Sequence, residues 1–199
     1  MKSSKEWLRR HVSDPFVKRA KAQGYRSRAA FKLLEFIASE KLLKPGMRVL
    51  DLGAAPGGWS QVAVEKVGPG GKVVAVDLLP VKAIHGAVVL QGDFRVADLE
   101  GALGGRADVV LSDMMPNITG VPLVDQARAA EISVAAIELC QRVLKPNGAF
   151  LVKVFHGSAF DEVLKALKAV FQTVGVRKPA ASRGESRETY LIARGLKKH

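Results

Sequence analysis

The segment 51–58 reads Asp-Leu-Gly-Ala-Ala-Pro-Gly-Gly and follows a short apolar run, which predicts a β-strand that enters a glycine-rich turn. Gly53 permits a sharp backbone bend, and Gly57 and Gly58 carry no Cβ atom that would keep a ligand away from the chain. The helix expected after the turn presents free N–H groups to whatever lies over it. The spacing is not the Gly-x-Gly-x-x-Gly that cradles a pyrophosphate. It favours an adenosyl ligand without phosphates, and a plain surface turn is the alternative interpretation.

Acidic side chains stand at the ends of the next two expected strands, where an open α/β sheet binds its ligands. Asp77 ends the second strand and is placed to accept hydrogen bonds from ribose hydroxyls. Asp93 comes after the third strand and can accept a hydrogen bond from an adenine amino group. Trp59, directly after the glycines, offers an apolar wall for a ring. These residues fit the nucleotide-binding corner of a doubly wound α/β fold.

A lysine and an aspartate form a second candidate constellation. Asp113 follows the fourth expected strand, and Lys153 lies within the apolar fifth strand. Lysine is rare inside a sheet unless it is paired. Because the fourth and fifth strands are expected to be neighbours, the two side chains can share one cleft. They are either a structural ion pair or a catalytic pair, and the nearby glycine turn favours catalysis.

Strands that alternate with helices must position these residues, and this alternation implies a mostly parallel sheet with helices on both faces. We expect a Rossmann-like α/β fold of seven strands. The last two strands lack an intervening helix and should form an antiparallel hairpin at one edge. The expected strands are 48–52, 72–77, 87–91, 107–112, 149–155, 173–178 and 188–193. The expected helices are 26–43, 58–67, 96–103, 123–144 and 159–171.

The length of 199 residues suits one domain, which we place at 26–199 after a basic N-terminal arm, 1–25, that we expect to be mobile. The single cysteine, Cys140, excludes an intramolecular disulfide and indicates a reducing, cytoplasmic location. The four histidines are scattered, so we expect no metal site. No apolar run approaches the roughly 20 residues that cross a bilayer, and we expect no membrane contact.

The net charge of +12 is concentrated at the two ends of the chain. Residues 1–32 hold ten basic against two acidic residues, and residues 177–199 hold seven against two. Residues 33–176 are nearly neutral, with fourteen basic against fifteen acidic residues. Two basic ends that flank a neutral core indicate a polyanionic partner, for which nucleic acid is the leading candidate.

Five short motifs follow one another along the chain, at 27–33, 51–61, 112–117, 152–155 and 183–188. In this order they resemble the FtsJ/RrmJ family, the S-adenosylmethionine-dependent ribosomal RNA 2′-O-ribose methyltransferases. The resemblance covers about residues 14–195 of the 199. One departure is Met115, where relatives usually have alanine.

The resemblance implies a catalytic tetrad of Lys32, Asp113, Lys153 and Glu188. It implies S-adenosyl-L-methionine as the cofactor and 2′-O-methylation of a uridine in the A-loop of 23S rRNA, within the large ribosomal subunit. A monomer is expected. The implied cofactor contacts, with the turn glycines added, are Gly53, Gly57, Gly58, Trp59, Asp77, Asp93 and Asp113.

The resemblance also gives the two basic ends of the chain a function, which is to contact the phosphates of the RNA. Such contacts position the RNA without reading its bases. Lys153 either takes the proton of the ribose hydroxyl or, as an ammonium group, only orients it. The two other function classes that fit the residues less well are a small-molecule O-methyltransferase and a non-catalytic ribosome-assembly factor. The candidate phosphate contacts are Arg9, Arg10, Lys18, Arg19, Lys21, Arg26, Arg28, Arg177, Lys178, Arg183 and Arg187.

Overall fold

The computed structural model describes residues 13–116, 118–157, 160–182 and 188–198. Seven strands form one sheet: β1 (Arg48–Leu52), β2 (Lys72–Asp77), β3 (Ala87–Gln91), β4 (Ala107–Ser112), β5 (Leu144–Phe155), β6 (Phe171–Arg177) and β7 (Glu188–Leu196). Their order across the sheet is β3-β2-β1-β4-β5-β7-β6. Strands β1 to β5 are parallel, and β7 pairs antiparallel with both β5 and β6. The predicted fold class, including the antiparallel C-terminal hairpin, is confirmed.

The strand order reverses at β1, which has β2 on one side and β4 on the other. The chain leaves the carboxyl ends of these strands toward opposite halves of the sheet. Such a switch point opens a crevice, and open α/β sheets bind ligands there. The predicted neighbourhood of the fourth and fifth strands is also confirmed, since β4 and β5 pair directly.

Helices cover both faces of the sheet, so its central strands are apolar on both sides. On one face, Leu33 and Val62 pack with Val73 of β2, while on the other Ile137 and Leu167 share a core with Val74. This two-sided burial explains the nearly continuous apolar runs of the parallel strands. The helices are α1 (Pro15–Ala22), α2 (Ala29–Glu40), α3 (Gly58–Val67), α4 (Leu99–Leu103), α5 (Pro122–Val143) and α6 (Phe160–Val170).

Several predicted boundaries differ from the structure by one to five residues, and two of these differences have a clear physical reason. The helix predicted over 26–43 ends at Glu40, because Lys41 adopts a left-handed conformation with φ 51°. Leu42 is still buried, so an apolar loop residue was mistaken for a helical one. The fifth strand begins at Leu144 and not at 149, since a register shift against β4 accommodates the turn-like residues between them.

The predicted N-terminal arm, 1–25, falls partly outside the described residues, which begin at residue 13. Its described part contains α1, whose first turn is capped by the Asp14 carboxylate through a 2.9 Å hydrogen bond from the Phe16 amide. The Phe16 ring lies 5.8 Å from that of Phe31, which attaches α1 to α2. Within the described residues, no helix combines the length and apolar character needed to cross a bilayer.

Candidate active site

A cavity of about 280 Å³ opens at the carboxyl ends of β1 to β4, at the switch point of the sheet. It brings together four of the residues predicted to bind a cofactor, namely Gly53, Asp77, Asp93 and Asp113. The remaining lining residues are Ala55, Val76, Leu78, Leu79, Gly92, Phe94, Arg95, Met114, Met115 and Ile132.

Gly53 on the one hand, and Gly57 and Gly58 on the other, are required by different neighbours of the turn. Gly53 has φ 72°, and a Cβ atom there would lie 2.3 Å from Cγ of Met114, so the bend at the cavity requires glycine. Gly57 and Gly58 do not line the cavity. A Cβ atom on Gly57 would lie 2.9 Å from the Arg26 guanidinium, and one on Gly58 would lie 2.4 Å from the Ser27 hydroxyl oxygen. These two glycines therefore admit the segment before α2, and their predicted contact with the cofactor stays a prediction.

Trp59 also lies away from the cavity. Its side chain is buried, with 3% exposure, and its indole N–H donates a 2.7 Å hydrogen bond to the carbonyl oxygen of Ala29. Its ring lies 6.0 Å from that of Tyr190. Trp59 thus supports the neighbouring strand and helix, and the structure does not place it as the wall of a ligand site.

Asp77 and Asp93 are held in place at the cavity by hydrogen bonds to their carboxylates. Asp77 accepts from the backbone amides of Ala55, at 2.9 Å, and Leu79, at 2.8 Å. Asp93 accepts from the backbone amide and the guanidinium of Arg95. The side-chain hydrogen bond from Arg95 lowers the pKa of Asp93 below its ordinary value. Both groups are therefore fixed acceptors for hydroxyl or amino groups of a ligand.

Beneath the turn, the structure buries another carboxyl group, which the prediction did not single out. Asp51 of β1 is 1% exposed and accepts a 2.6 Å hydrogen bond from the Ser60 hydroxyl of α3. Burial, reinforced by the nearby charges of Asp113 and Asp77, raises the pKa of Asp51 to about 7. The group links β1 to the start of the helix that follows the turn.

The four residues of the predicted tetrad lie together beside the cavity. Lys153 Nζ donates to the main-chain oxygen of Asp113 at 2.7 Å and lies 3.1 Å from its Oδ1. Lys32 Nζ lies 2.5 Å from Glu188 Oε1. A residue absent from the prediction, Tyr190, joins the two pairs: its hydroxyl donates to Asp113 Oδ1 at 2.9 Å and accepts from Lys32 Nζ at 3.2 Å.

Strand pairing accounts for this geometry. Lys153 of β5 is in register with Tyr190 of β7, and Phe155 is in register with Glu188. Glu188 and Tyr190 are two residues apart on one strand, so their side chains project from the same face. That spacing is the sequence signal that could have identified Tyr190.

The charges of the cluster are paired, because each lysine has its own carboxylate. Burial of Glu188 opposes its ionisation, but the hydrogen bond and charge of Lys32 outweigh burial and lower the pKa of this carboxyl. Burial raises the pKa of Tyr190 far above its ordinary value, so its hydroxyl keeps its proton and acts as a donor. The cluster can therefore hold a hydroxyl group close to the cavity without a net charge of its own.

Comparison with known proteins decides the family. The model of the FtsJ-like methyltransferases matches residues 25–196. The chain belongs to this family. It is 52% identical, over 98% of its own length and 98% of the relative's, to the "Ribosomal RNA large subunit methyltransferase E" of Dechloromonas aromatica. The resemblance inferred from the five motifs is thereby confirmed.

Solved structures share the fold of this FtsJ-like methyltransferase. One, assigned as a ribosomal RNA methyltransferase of Plasmodium falciparum, has a TM-score of 0.76 at 28% identity and covers 86% of this chain and 98% of that chain. Another, Aeropyrum pernix fibrillarin with natively bound S-adenosyl-L-methionine, has a TM-score of 0.63 at 18% identity and covers 85% of this chain and 75% of that chain. At such identity the latter shows the fold alone.

As a family member, the protein is an S-adenosyl-L-methionine-dependent methyltransferase, and the chemistry of the cavity fits this donor. The donor carries ribose hydroxyls and an adenine amino group, which need acceptors, and a cationic sulfur, which favours a nearby carboxylate. The cavity offers the carboxylates of Asp77, Asp93 and Asp113.

Several arginines of the methyltransferase that were predicted to contact phosphates are engaged within the protein. Arg28 forms an ion pair with Asp14 and donates to the carbonyl oxygen of Ala181 at 2.7 Å. Arg177 forms an ion pair with Glu40. On the described part of the chain, Lys18, Arg19 and Lys21 of α1 are exposed basic residues. Four further candidates lie outside the described residues: Arg9, Arg10, Arg183 and Arg187.

Arg26, another predicted phosphate contact, instead connects the two loops beside the cavity. Its guanidinium donates to the carbonyl oxygens of Pro56 at 3.1 Å, Lys82 at 2.7 Å and Ala83 at 2.7 Å. Pro56 belongs to the glycine-rich turn, and the other two follow β2. A planar guanidinium can reach three carbonyls at once because its donors point outward in a fixed fork.

Replacing Arg26 with methionine is expected to lower the free energy of unfolding by about 1 kcal/mol, because three hydrogen bonds from a charged donor are lost and water replaces them only in part at these exposed residues. Affinity for S-adenosyl-L-methionine should fall as well, because the glycine-rich turn after β1 is no longer linked through Arg26 to the loop after β2. Urea denaturation and isothermal titration calorimetry measure the two effects. Arg142→Met, at an exposed position of α5, is the control. Equal behaviour of the two variants would contradict the role of Arg26.

Proposed function

We propose that this methyltransferase transfers a methyl group from S-adenosyl-L-methionine to a ribose 2′-oxygen of large-subunit ribosomal RNA. The paired lysines and carboxylates beside the donor cavity are the observation that carries the proposal. The substrate follows the name of the relative that shares 52% identity. The finer target, a uridine in the A-loop of 23S rRNA, and a cytoplasmic, monomeric enzyme follow from the family resemblance.

In this proposal the acidic side chains of the cavity hold the donor. Asp77 accepts from its ribose hydroxyls and Asp93 from its adenine amino group, while Gly53 leaves room at the bend. Asp113 lies at the opposite side of the cavity, next to Lys153. When bound, S-adenosyl-L-methionine supplies a methyl group on a positively charged sulfur, which is already a good electrophile. The protein therefore has to align the acceptor more than activate the donor.

Lys153 is the residue proposed to align the acceptor. An ammonium group has three hydrogens, and Asp113 accepts through its main-chain oxygen and its Oδ1. One hydrogen is left to donate to a ribose 2′-oxygen, which directs a lone pair of that oxygen away from the lysine. Glu188 and Tyr190 hold Lys32 beside this position, where it can contact the adjoining sugar or phosphate. The proton of the 2′-hydroxyl passes to solvent water as the new oxygen–carbon bond forms and the bond between the methyl carbon and the donor sulfur breaks.

The surface of α1 is proposed to contact the RNA backbone. Lys18, Arg19 and Lys21 are exposed on this helix, and α1 is attached to α2, which carries Lys32. The guanidinium of Arg19 lies 4.7 Å from the ring centroid of Phe31, one residue before Lys32. Binding through such contacts should weaken as salt is added.

A labelling experiment tests the proposal. The protein is incubated with methyl-labelled S-adenosyl-L-methionine and with free ribosomal RNA, isolated large subunits or whole ribosomes, all from cells that lack the modification. The label is then mapped by nuclease digestion and mass spectrometry. We expect it on one ribose of the large-subunit RNA. Label on a base, on a protein or on none of the three substrates would contradict the proposal.

A further inference from the structure

A second, apolar groove of about 190 Å³ lies beside the reaction cluster. Its lining includes Met115, Pro116, Ile118, Gln126, Phe155 and His156. These residues come from the loop that follows Asp113, from α5, and from the carboxyl end of β5. No catalytic role has so far been given to any of them.

The groove adjoins the proposed site at two points. Met115 lines both the groove and the donor cavity. On the other side, the ring of Phe155 lies 5.8 Å from Lys153 Nζ, measured to the ring centroid. A molecule that places one atom at Lys153 can therefore extend directly into the groove. The donor cavity extends the opposite way, toward Asp77 and Asp93 beyond β1.

The shape and chemistry of the groove suit a single flat ring. Ligand pockets for drug-sized molecules have volumes of about 300–1,000 Å³, so this one is too small for a whole nucleotide. Phe155 lines the groove, and the adjacent His156, also in the lining, stacks on Phe160 with centroids 5.0 Å apart. Gln126 adds a side-chain amide, which can both donate and accept at the edge of a ring.

We propose that this groove binds the base of the nucleotide whose ribose is methylated. The inference rests on the proposed function, since it needs an RNA acceptor at Lys153. Proteins commonly read RNA by stacking unpaired bases on aromatic and apolar side chains. A ribose held at Lys153 with its 2′-oxygen toward the donor carries its own base into the adjoining groove. In this position the base no longer stacks on its neighbours in the RNA, and the protein holds both the ribose and the base of the nucleotide.

Ile118 provides a test that does not endanger the fold, because its side chain is 67% exposed. Ile118→Ser removes apolar surface from the groove, and Leu123→Ser makes a matched change at a residue that is 72% exposed and outside the groove lining. We expect Ile118→Ser to raise the half-saturating concentration of unmethylated large subunits about tenfold, because the base loses apolar contact with this side chain. Calorimetric affinity for S-adenosyl-L-methionine should match that of the wild type. Equal behaviour of the two variants toward subunits would overturn the inference.

Cross-linking locates the occupant directly. A benzophenone amino acid placed at 118 or at 123 is irradiated in the complex with unmethylated subunits, and the linked nucleotide is sequenced. We expect position 118 alone to link to the methylated nucleotide or its immediate neighbour. Links to a ribosomal protein or to distant RNA would overturn the inference. Failure of the wild type to methylate RNA would instead refute the proposed function, so the two failures are distinguishable.

Discussion

Lys153→Met is expected to lower the single-turnover rate of methyl transfer by about 10²-fold or more, the cost typical of losing the alignment of two reacting groups. The substitution keeps the length and much of the packing of the side chain but removes every hydrogen that holds the acceptor oxygen. Affinity for S-adenosyl-L-methionine should change little, because Lys153 does not line the donor cavity. Rapid-quench kinetics on unmethylated subunits and calorimetric titration measure the two quantities.

The chain offers a matched control on the same strand. Lys145 is the second residue of β5 and pairs with Asp108 at 2.6 Å, as Lys153 pairs with Asp113 near the other end of the strand. Lys145→Met breaks this partly exposed ion pair, which is worth little, and should leave the rate near that of the wild type. If Lys153→Met were as active as Lys145→Met, the assignment of Lys153 would be wrong.

Asp51→Asn is expected to change how stability depends on pH. The folded protein holds a proton on Asp51 up to a pKa of about 7, whereas the unfolded chain releases it near 3.8. Between these values the folded state binds more protons, so a rise in pH destabilises the wild type. The stabilisation from this group is complete below about pH 4 and is lost by about pH 7. It amounts to about 4 kcal/mol at most, at 1.36 kcal/mol for each pH unit.

Asparagine does not titrate and can still accept a hydrogen bond from the Ser60 hydroxyl. The free energy of unfolding of the variant should therefore not fall in this way as the pH rises. From pH 5 to pH 8, the free energy of unfolding of Asp51→Asn should rise by about 2–3 kcal/mol relative to the wild type. Urea denaturation at both values of pH measures it. Asp161→Asn, at an exposed position of α6, controls for the substitution itself. Parallel curves for Asp51→Asn and the wild type would show that Asp51 does not titrate in this range.

Much of the fold could be predicted because local patterns specify it. The apolar runs of β1, β2 and β4 are buried on both faces, whereas β3 is a partly exposed edge strand. All four runs end at polar or glycine residues, so their bounds were predicted correctly. The position of Lys153 next to Asp113 followed from the expected pairing of β4 with β5. The end of α2 before Lys41 was missed because Leu42 is buried and fits the helical spacing of apolar residues, although it lies beyond the end of the helix.

Partners far apart in sequence were harder to predict. The hydrogen bonds of Arg26 join it to residues 30 to 57 positions away, and Arg28 bonds to a carbonyl 153 positions away. A charge count cannot distinguish such arginines from those that face solvent. Gly57 and Gly58 were hard to interpret for the same reason. The groups that leave no room for a side chain at these positions belong to a distant part of the same chain, around Arg26 and Ser27.

The contacts of β7 join two parts of the site that lie far apart along the chain. The donor cavity is lined by residues between Gly53 and Ile132, whereas the Lys32–Glu188 pair joins residues that are 156 positions apart. Every residue that lines the donor cavity therefore precedes β6 and β7 in the chain. A shortened chain that ends before β7 would keep all of these lining residues, but it would lack Glu188 and Tyr190 beside Lys32.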